Sequence, residues 1–287
     1  VVYLFYHSTS KVTHDVVSRF TSNGTLAYPA SEFVIHEFEE LDSGVHLGGA
    51  MELGPDGMLY ITHGDNGQGD RSQDMTNTMG KVLRYNLDGS IPEGNPFYDT
   101  LNGSARAIYA LGLRSPFSMG IEPVTGLIYV NDVGASAWEE VDDVVSGGNY
   151  GWPQAEGTGG PGIGPIYQYP HDPALAAEFG CAITAGTFYQ PLNTGFPGEY
   201  VGKYFFADYC EGWFGVLDPV DNRVTRFANG DGSQSVVDMK VNPDGELFFL
   251  QFAGGKVFKI TYTGTELAPV IVSQPEGVLA PVGSDAS

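Results

Sequence analysis

The stretch from Leu111 to Glu156 decides the fold, and it reads LGLRSPFSMGIEPVTGLIYVNDVGASAWEEVDDVVSGGNYGWPQAE. Within it, Pro123 begins a turn that Gly126 closes, and a run of apolar and aromatic residues follows. A proline–glycine turn before such a run predicts a β-hairpin. Glycines and aromatic residues beside adjacent acids are also typical of loops that wall a binding site. We therefore expect strands here, with a site formed by the loops between them.

The same turn-and-strand pattern occurs three times. The three turns contain Pro55, Pro123 and Pro243, which are 68 and 120 residues apart. These spacings are close to one and two units of about 60 residues, and all-β repeats of that length predict propeller blades of four strands. A β-sandwich is the alternative, although it rarely repeats one turn at one spacing. A propeller binds its ligand at one mouth of the central channel, where loops enter the inner strands.

The composition supports an all-β chain and argues against two classes of function. The 287 residues include 40 glycines, 18 prolines and 13% aromatic residues. No uninterrupted apolar run is long enough to span a membrane. The net charge is −22, from 35 acids and 13 bases, so we expect no nucleic-acid partner. This acidity is typical of a dispersed, exported protein, and a dedicated cationic partner is the alternative.

Both ends of the chain predict neighbouring segments. Residues 1–6 resemble a strand and lack the basic start and cleavage site of a signal peptide, so we expect an N-terminal portion to be absent. Residues 1–265 are predicted to form the propeller. Residues 266–287 are predicted to be a linker or the start of a further extracellular module.

The chain contains two cysteines, Cys181 and Cys210, with 28 residues between them. Each lies near the end of a predicted strand, without a CxxC motif or a nearby histidine. This arrangement favours a disulfide over a zinc site or a catalytic nucleophile. A disulfide implies export, so we expect a secreted or extracellular protein, with the periplasm or the cell surface as alternatives.

Two residues are candidates for catalysis. His46 lies among glycines before a predicted strand, where a neutral imidazole is suited to abstract a hydroxyl proton. The alternative is a buried histidine that bonds to the backbone. Arg114 lies between apolar residues and a proline turn. Its planar guanidinium there suits a carboxylate, a quinone oxygen or an internal acid.

Adjacent acids predict a cation site. Glu139 and Glu140 are consecutive, and Asp142 and Asp143 follow closely. Because neighbouring side chains on a strand point to opposite faces, only one member of each pair can enter a given site. One carboxylate with loop carbonyls suits calcium, whereas a solvated acidic strand end is the alternative. The loop over residues 65–74 is rich in oxygen ligands but lacks the EF-hand spacing.

A series of motifs runs in order from about Val1 to Tyr262. The motifs include His46-Leu-Gly-Gly, Gly54-Pro-Asp-Gly, Gly80-Lys-Val-Leu-Arg, Gly112-Leu-Arg-Ser-Pro, Asp132-Val-Gly, Glu139-Glu-Val-Asp, Gly148-Asn-Tyr-Gly-Trp-Pro and Asp208-Tyr-Cys. They resemble the glucose/sorbosone dehydrogenase family, whose characterised members are soluble aldose dehydrogenases that use pyrroloquinoline quinone. The variants look most like the branch that includes hedgehog-interacting-protein-like sequences, in which the two cysteines would be expected to pair.

The resemblance implies a six-bladed β-propeller that lacks about its first blade in this chain. It also implies that a sugar or glycan is the ligand and that an aldose is oxidised to its lactone, with pyrroloquinoline quinone as the cofactor. In that reaction His46 would take the proton from the C1 hydroxyl, and Arg114 would polarise the reactive carbonyl of the quinone.

The same resemblance implies two calcium sites. The backbone carbonyls of Gly134 and Ala135 would hold a calcium ion that also binds the cofactor. Glu140, together with the backbone carbonyl of Tyr150, would hold a second, structural calcium ion.

The chain departs from the family pattern where the cofactor would bind. Ser115 replaces an asparagine, and Glu211 stands where cofactor-using members carry a lysine. Before Pro243, Ser235-Val-Val-Asp stands where those members supply an arginine. Pyrroloquinoline quinone has three carboxylates, and each one buried without a cation costs several kcal/mol. The alternative function is therefore a non-catalytic, calcium-stabilised propeller that binds a glycan or a protein within a larger secreted protein. A calcium-dependent lactonase on a similar propeller is a third hypothesis.

Overall fold

The computed structural model describes residues 1–10, 12–171, 180–229, 235–262 and 270–273. Within these residues, nineteen strands pair into five antiparallel sheets in which neighbouring strands follow one another along the chain. Each sheet is one blade of a β-propeller. The blades succeed one another in sequence order, so every hairpin is local and the connections between blades are short.

The strands of blade 1 and blade 2 have the following bounds. Blade 1 contains β1 (Val2–Ser8), β2 (His14–Phe20) and β3 (Phe33–Glu37). Blade 2 contains β4 (Met51–Leu53), β5 (Met58–His63), β6 (Lys81–Asn86) and β7 (Ile108–Leu111).

The remaining blades have four strands each. Blade 3 contains β8 (Pro116–Ile121), β9 (Ile128–Asp132), β10 (Trp138–Asp143) and β11 (Tyr167–Pro170). Blade 4 contains β12 (Ile183–Phe188), β13 (Tyr204–Asp208), β14 (Phe214–Leu217) and β15 (Val224–Ala228). Blade 5 contains β16 (Val236–Val241), β17 (Leu247–Gln251), β18 (Lys256–Thr261) and β19 (Val270–Ser273). Short 3₁₀ helices cover Pro29–Ser31, Gly69–Ser72, Gly103–Ala107 and Gly198–Tyr200.

The prediction of an all-β propeller is confirmed, but the described residues form five blades and not the six of the family. The described residues form five sheets, and the first has three strands. The physical reason is length, because 287 residues leave room for about five repeats of about 60 residues and not for six. Strand β19 falls within the segment predicted as a linker, and the rest of 266–287 lies outside the described residues.

The first strand of each four-stranded blade lies innermost. Strand β4 contacts β8, β8 contacts β12, and β12 contacts β16. We call the face where these inner strands begin the upper face, and the face where they end the lower face. The turns that follow the inner strands on the lower face contain Pro55, Pro123, Pro191 and Pro243. Pro191, 68 residues after Pro123, is the member of the series that sequence reading overlooked.

Apolar side chains fill the spaces between neighbouring blades. Phe205, Phe214 and Phe249 belong to a buried cluster that joins blades 4 and 5. Tyr60, Val82 and Val130 belong to a second cluster, between blades 2 and 3. Burying a side chain of this size contributes about 1.5–3 kcal/mol, so the contacts between blades supply much of the stability.

Among the described residues, no helix is both long and apolar enough to cross a membrane.

The predicted disulfide is confirmed. Cys181 and Cys210 are bonded, with their Cα atoms 5.7 Å apart. Cys181 precedes the inner strand β12, and Cys210 follows β13, so the bond closes the upper end of blade 4.

Candidate functional site

Two inner strands bring His46 and Arg114 together at the upper face. His46 lies in the loop before β4, and Arg114 lies in the loop before β8. Gly64, directly after β5, packs between their backbones. A Cβ atom added at Gly64 would lie 2.1 Å from the carbonyl oxygen of His46 and 2.9 Å from that of Arg114. Only glycine fits at this position, so Gly64 sets the close approach of the two loops.

His46 is held by a buried carboxylate. Its Nδ1 lies 2.7 Å from Oδ1 of Asp65, and the His46 side chain remains 21% exposed. When the neutral imidazole donates from Nδ1 to Asp65, the lone pair lies on Nε2. This is the arrangement of an oriented general base. Sequence reading missed Asp65 as the partner of His46, although the Gly64-Asp65 pair directly after a strand was a signal.

Asp65 itself is held by several donors. The indole N–H of Trp152 donates to its Oδ2 at 2.8 Å, and the backbone N–H of Gly67 donates to its Oδ1 at 2.7 Å. Burial alone would raise the pKa of Asp65, but the bonds from His46, Trp152 and Gly67 outweigh it and lower that pKa below its ordinary value. Asp65 therefore stays anionic, and it stabilises a protonated His46 as well as a neutral one.

Arg114 is anchored to the loop that follows β9. Its Nη1 donates to the carbonyl oxygens of Val133 at 2.8 Å and of Gly134 at 2.6 Å. Its Cζ lies 5.5 Å from the ring centre of Trp152, so one indole touches both Asp65 and the guanidinium. The carbonyl of Gly134, which the resemblance implies as a calcium ligand, accepts from Arg114 here. Ala135, the other implied ligand, donates its backbone N–H to Glu156 at 2.8 Å.

Beside Arg114 lies a buried acidic cluster formed by Asp132, Glu140 and Asp142. One carboxylate oxygen from each lies within 4.8 Å of the others. Glu140 and Asp142 are two residues apart on β10 and share a face, and Glu140 pairs directly with Asp132 on β9. Sequence reading proposed Glu140, left open which of Asp142 and Asp143 enters the site, and missed Asp132. The alternation along β10 was a signal for Asp142.

Tyr150 lies at the same cavity as Glu140. A cavity of about 10 Å³, room for one water-sized sphere, lies between Arg114, Asp132, Glu140 and Tyr150. The Tyr150 hydroxyl is engaged elsewhere, since it donates to the carbonyl of Asp143 at 2.5 Å. The structure thus brings together the two residues, Glu140 and Tyr150, that the resemblance implies as ligands of one calcium ion.

The electrostatics of the acidic cluster fit a hard cation. Burial raises the pKa of Asp132 to about 7. Burial and the neighbouring charge of Asp132 raise the pKa of Glu140 to about 8, and the pKa of Asp142 is raised well above its ordinary value. Both oxygens of Asp142 are buried without a hydrogen-bond partner. Carboxylates that repel one another, with the oxygens of Asp142 free of donors, are what Ca²⁺ neutralises, so these residues fit calcium.

The same cavity offers little positive charge. Among the described residues that line it, Arg114 is the single lysine or arginine, and Glu156 adds a further acid. Arg71, elsewhere on the upper face, forms an ion pair with Asp42. The described residues therefore fit a calcium ion but not the three carboxylates of pyrroloquinoline quinone.

Comparison with known proteins agrees with the sequence resemblance. The family model described as Glucose / Sorbosone dehydrogenase matches residues 1–259. The aldose sugar dehydrogenase YliI of Escherichia coli is 27% identical over 238 residues, which cover 79% of this chain and 63% of that protein. The HIPL2 protein of Arabidopsis thaliana is 29% identical over 285 residues, which cover 84% of this chain and 39% of that protein. The chain thus spans less than two thirds of the length of both relatives.

A solved structure supports the fold independently. The PQQ-bound form of aldose sugar dehydrogenase from Streptomyces coelicolor superimposes with a TM-score of 0.67 at 22% identity, covering 87% of this chain and 68% of that one. At this identity the likeness concerns the fold alone.

Proposed function

Because the chain belongs to the glucose/sorbosone dehydrogenase family, we propose that the protein is a sugar dehydrogenase that oxidises an aldose to its lactone, with a quinone as electron acceptor. The observation that carries this proposal is the pair of His46 and Asp65, 2.7 Å apart, beside Arg114 at the upper mouth of the propeller. A base of this kind is what the oxidation of a sugar hydroxyl needs.

The oxidation removes a proton from the C1 hydroxyl group and a hydride, which is a hydrogen with two electrons, from C1. His46 takes the proton on Nε2, and Asp65 stabilises the imidazolium that forms. A positioned general base contributes about 10²–10⁴-fold to the rate. Arg114, fixed by two backbone carbonyls, presents positive charge against Trp152, whose indole N–H binds the Asp65 that holds His46. That charge is suited to stabilise an oxygen that becomes negative during the reaction.

The acidic cluster holds calcium in this proposal, with Glu140 as a ligand and the carbonyl of Tyr150 beside it. Asp132 and Asp142 add two further carboxylates. The relative from S. coelicolor is described as PQQ-bound, and that cofactor is the proposed acceptor here. We assign it no step, because Arg114 is the one cation at the described cavity and Glu211 replaces the expected lysine.

The shortage of cations favours a second candidate. A non-catalytic propeller, stabilised by calcium and binding a glycan or a protein, needs no partner for three carboxylates. The disulfide between Cys181 and Cys210 suits either candidate, since such bonds persist in secreted, extracellular and periplasmic proteins. We propose export in both cases.

One experiment separates the two candidates. The protein is loaded with calcium and pyrroloquinoline quinone, and reduction of a dye is followed with a panel of aldoses. We expect turnover that falls about 10²–10⁴-fold in His46→Asn. Asparagine is the suitable replacement because His46 has φ +52°, which asparagine tolerates. The control is His7→Asn, an exposed histidine of blade 1, which should retain activity.

Cofactor affinity provides a second measurement. Replacing Glu211 by lysine restores the missing charge, so Glu211→Lys should tighten quinone binding at least tenfold in a fluorescence titration. If the folded wild-type protein and Glu211→Lys both fail to bind the quinone at micromolar concentration, the quinone-dependent dehydrogenase is excluded. The non-catalytic binding propeller is then the remaining candidate function.

A further inference from the structure

Glu156 is bound by four consecutive backbone groups. Its Oε1 accepts from the N–H groups of Ala135 at 2.8 Å, Ser136 at 3.0 Å, Ala137 at 2.9 Å and Trp138 at 3.1 Å. Successive N–H groups that converge in this way form a concave anion site. Here the anion is a side chain of the same protein.

A single oxygen of Glu156 lies where the four N–H groups converge. The four bonds therefore share one acceptor, and all four donors belong to consecutive residues. The loop of residues 133–138 is fixed at one point by a strong acceptor.

The peptide unit between Gly134 and Ala135 links Glu156 to Arg114. In a planar trans peptide the N–H and the C=O point in opposite directions. The N–H of this unit, on Ala135, donates to Glu156 at 2.8 Å. The C=O of the same unit, on Gly134, accepts from Nη1 of Arg114 at 2.6 Å. Holding the N–H therefore aims the carbonyl at the guanidinium.

Close packing within the loop makes glycine necessary at residue 134. A Cβ atom added at Gly134 would lie 1.8 Å from the carbonyl oxygen of Trp138 and 3.0 Å from Oε1 of Glu156. Glycine is therefore required at residue 134, and glycine by itself leaves the backbone free to adopt many conformations. A separate contact must hold this peptide in one orientation, and Glu156 makes that contact.

We propose that Glu156 is a positioning residue that fixes the Gly134–Ala135 peptide and thereby the guanidinium of Arg114. Glu156 acts through the loop. The reason why Arg114 is fixed rests on the proposed function, whereas the fixation itself does not. The orientation of the loop and of Arg114 is measurable without sugar, metal or quinone. The two proposals can therefore fail separately.

The test compares Glu156→Gln with Glu156→Ala. Glutamine retains an oxygen that accepts from the four N–H groups, whereas alanine removes it. In Glu156→Ala we expect amide exchange over residues 135–138, followed by mass spectrometry, to accelerate at least tenfold. We also expect the Arg114 guanidinium to rotate at least tenfold faster in NMR spectra of its side-chain nitrogens. Glu156→Gln should stay within about threefold of the wild type on both measurements.

Glu122 provides a matched control in the same blade. Its Oε2 accepts from the backbone N–H of Val124 at 3.0 Å and from the hydroxyl of Thr125 at 2.6 Å, in the turn on the lower face. Glu122→Ala removes an equivalent carboxylate clamp, so it should lower stability and leave Arg114 fixed.

Two results would overturn the proposal. If Arg114 stays fixed in Glu156→Ala, the loop needs no anchor. If Glu156→Gln loses as much order as Glu156→Ala, the negative charge and not the position of the acceptor is what matters. In an active enzyme, Glu156→Ala should lower kcat about tenfold with a smaller change in KM, and Glu156→Gln should recover most of the loss.

Discussion

Blades 3 and 4 each have an aspartate at the upper end that holds the start of the inner strand, but the surroundings of the two aspartates differ. In each blade the second strand ends in an aspartate, Asp132 in β9 and Asp208 in β13. Asp132 accepts from the backbone N–H groups of Arg114 and Ser115 at 2.8 and 2.5 Å. Asp208 accepts from those of Cys181 and Ala182 at 2.9 and 3.0 Å. Each aspartate thus fixes the start of its inner strand.

The surroundings of the two aspartates differ. Asp208 accepts three further bonds, from the hydroxyl of Tyr169 at 2.8 Å and from the N–H groups of Cys210 and Glu211 at 2.8 and 3.0 Å. Asp132 instead faces Glu140 and Asp142. The comparison teaches that a buried carboxylate surrounded by donors is structural, whereas buried carboxylates that face one another, one of them without any donor, mark a cation site.

The largest expected effect concerns Asp208. Asp208→Ala leaves four backbone N–H groups without their acceptor at the upper end of blade 4, so we expect the free energy of unfolding to fall by about 4 kcal/mol. Urea denaturation measures this change. The control Asp221→Ala removes an exposed aspartate from the same blade and should cost less than about 1 kcal/mol. A loss below 1 kcal/mol in Asp208→Ala would show that the comparison between the blades is wrong.

The second effect concerns calcium and blade 3. At a free concentration of 100 times its dissociation constant, a ligand that binds only the folded state stabilises it by about 2.7 kcal/mol. We expect calcium to raise Tm in thermal denaturation relative to chelator, and Asp142→Asn to abolish the rise. Asp143→Asn, a neighbour outside the acidic cluster, should retain it. Equal stabilisation of both variants by calcium would place the ion elsewhere.

The smallest effect is a pH dependence in the absence of metal. The pKa of Asp132 is raised to about 7 and that of Glu140 to about 8, so the folded state holds protons that the unfolded state has released. These groups therefore make stability fall as pH rises from about 4 through 8. Asp142→Asn removes one of the repelling charges. It should be nearly neutral at pH 5 and stabilise by about 1 kcal/mol or more at pH 8.

Chemical denaturation at the two pH values, with chelator present, measures this difference. Asp143→Asn is again the control and should show a smaller gain at pH 8. A destabilised Asp142→Asn at pH 8 would mean that the three carboxylates do not repel one another in the folded protein.

Local patterns in the sequence predicted much of the fold. Proline turns followed by strands indicated the propeller, because a hairpin is set by residues close together in the chain. The two isolated cysteines predicted the disulfide. The family motifs pointed to His46, Arg114, Glu140 and Tyr150, whose roles remain predictions. The family implied six blades with about the first one lacking in this chain, and the described residues form five sheets.

The partners of these residues were decided only by the tertiary structure. Trp152 forms a hydrogen bond with Asp65, which is 87 positions earlier in the sequence, and Asp65 forms one with His46, which is 19 positions earlier. The sequence by itself determines which residues alternate along a strand, such as Glu140 and Asp142, because that period is a property of the backbone. Which strands and loops then face one another depends on how the blades pack around the axis. That packing, and not any local pattern, places an imidazole, a guanidinium and three carboxylates at one mouth.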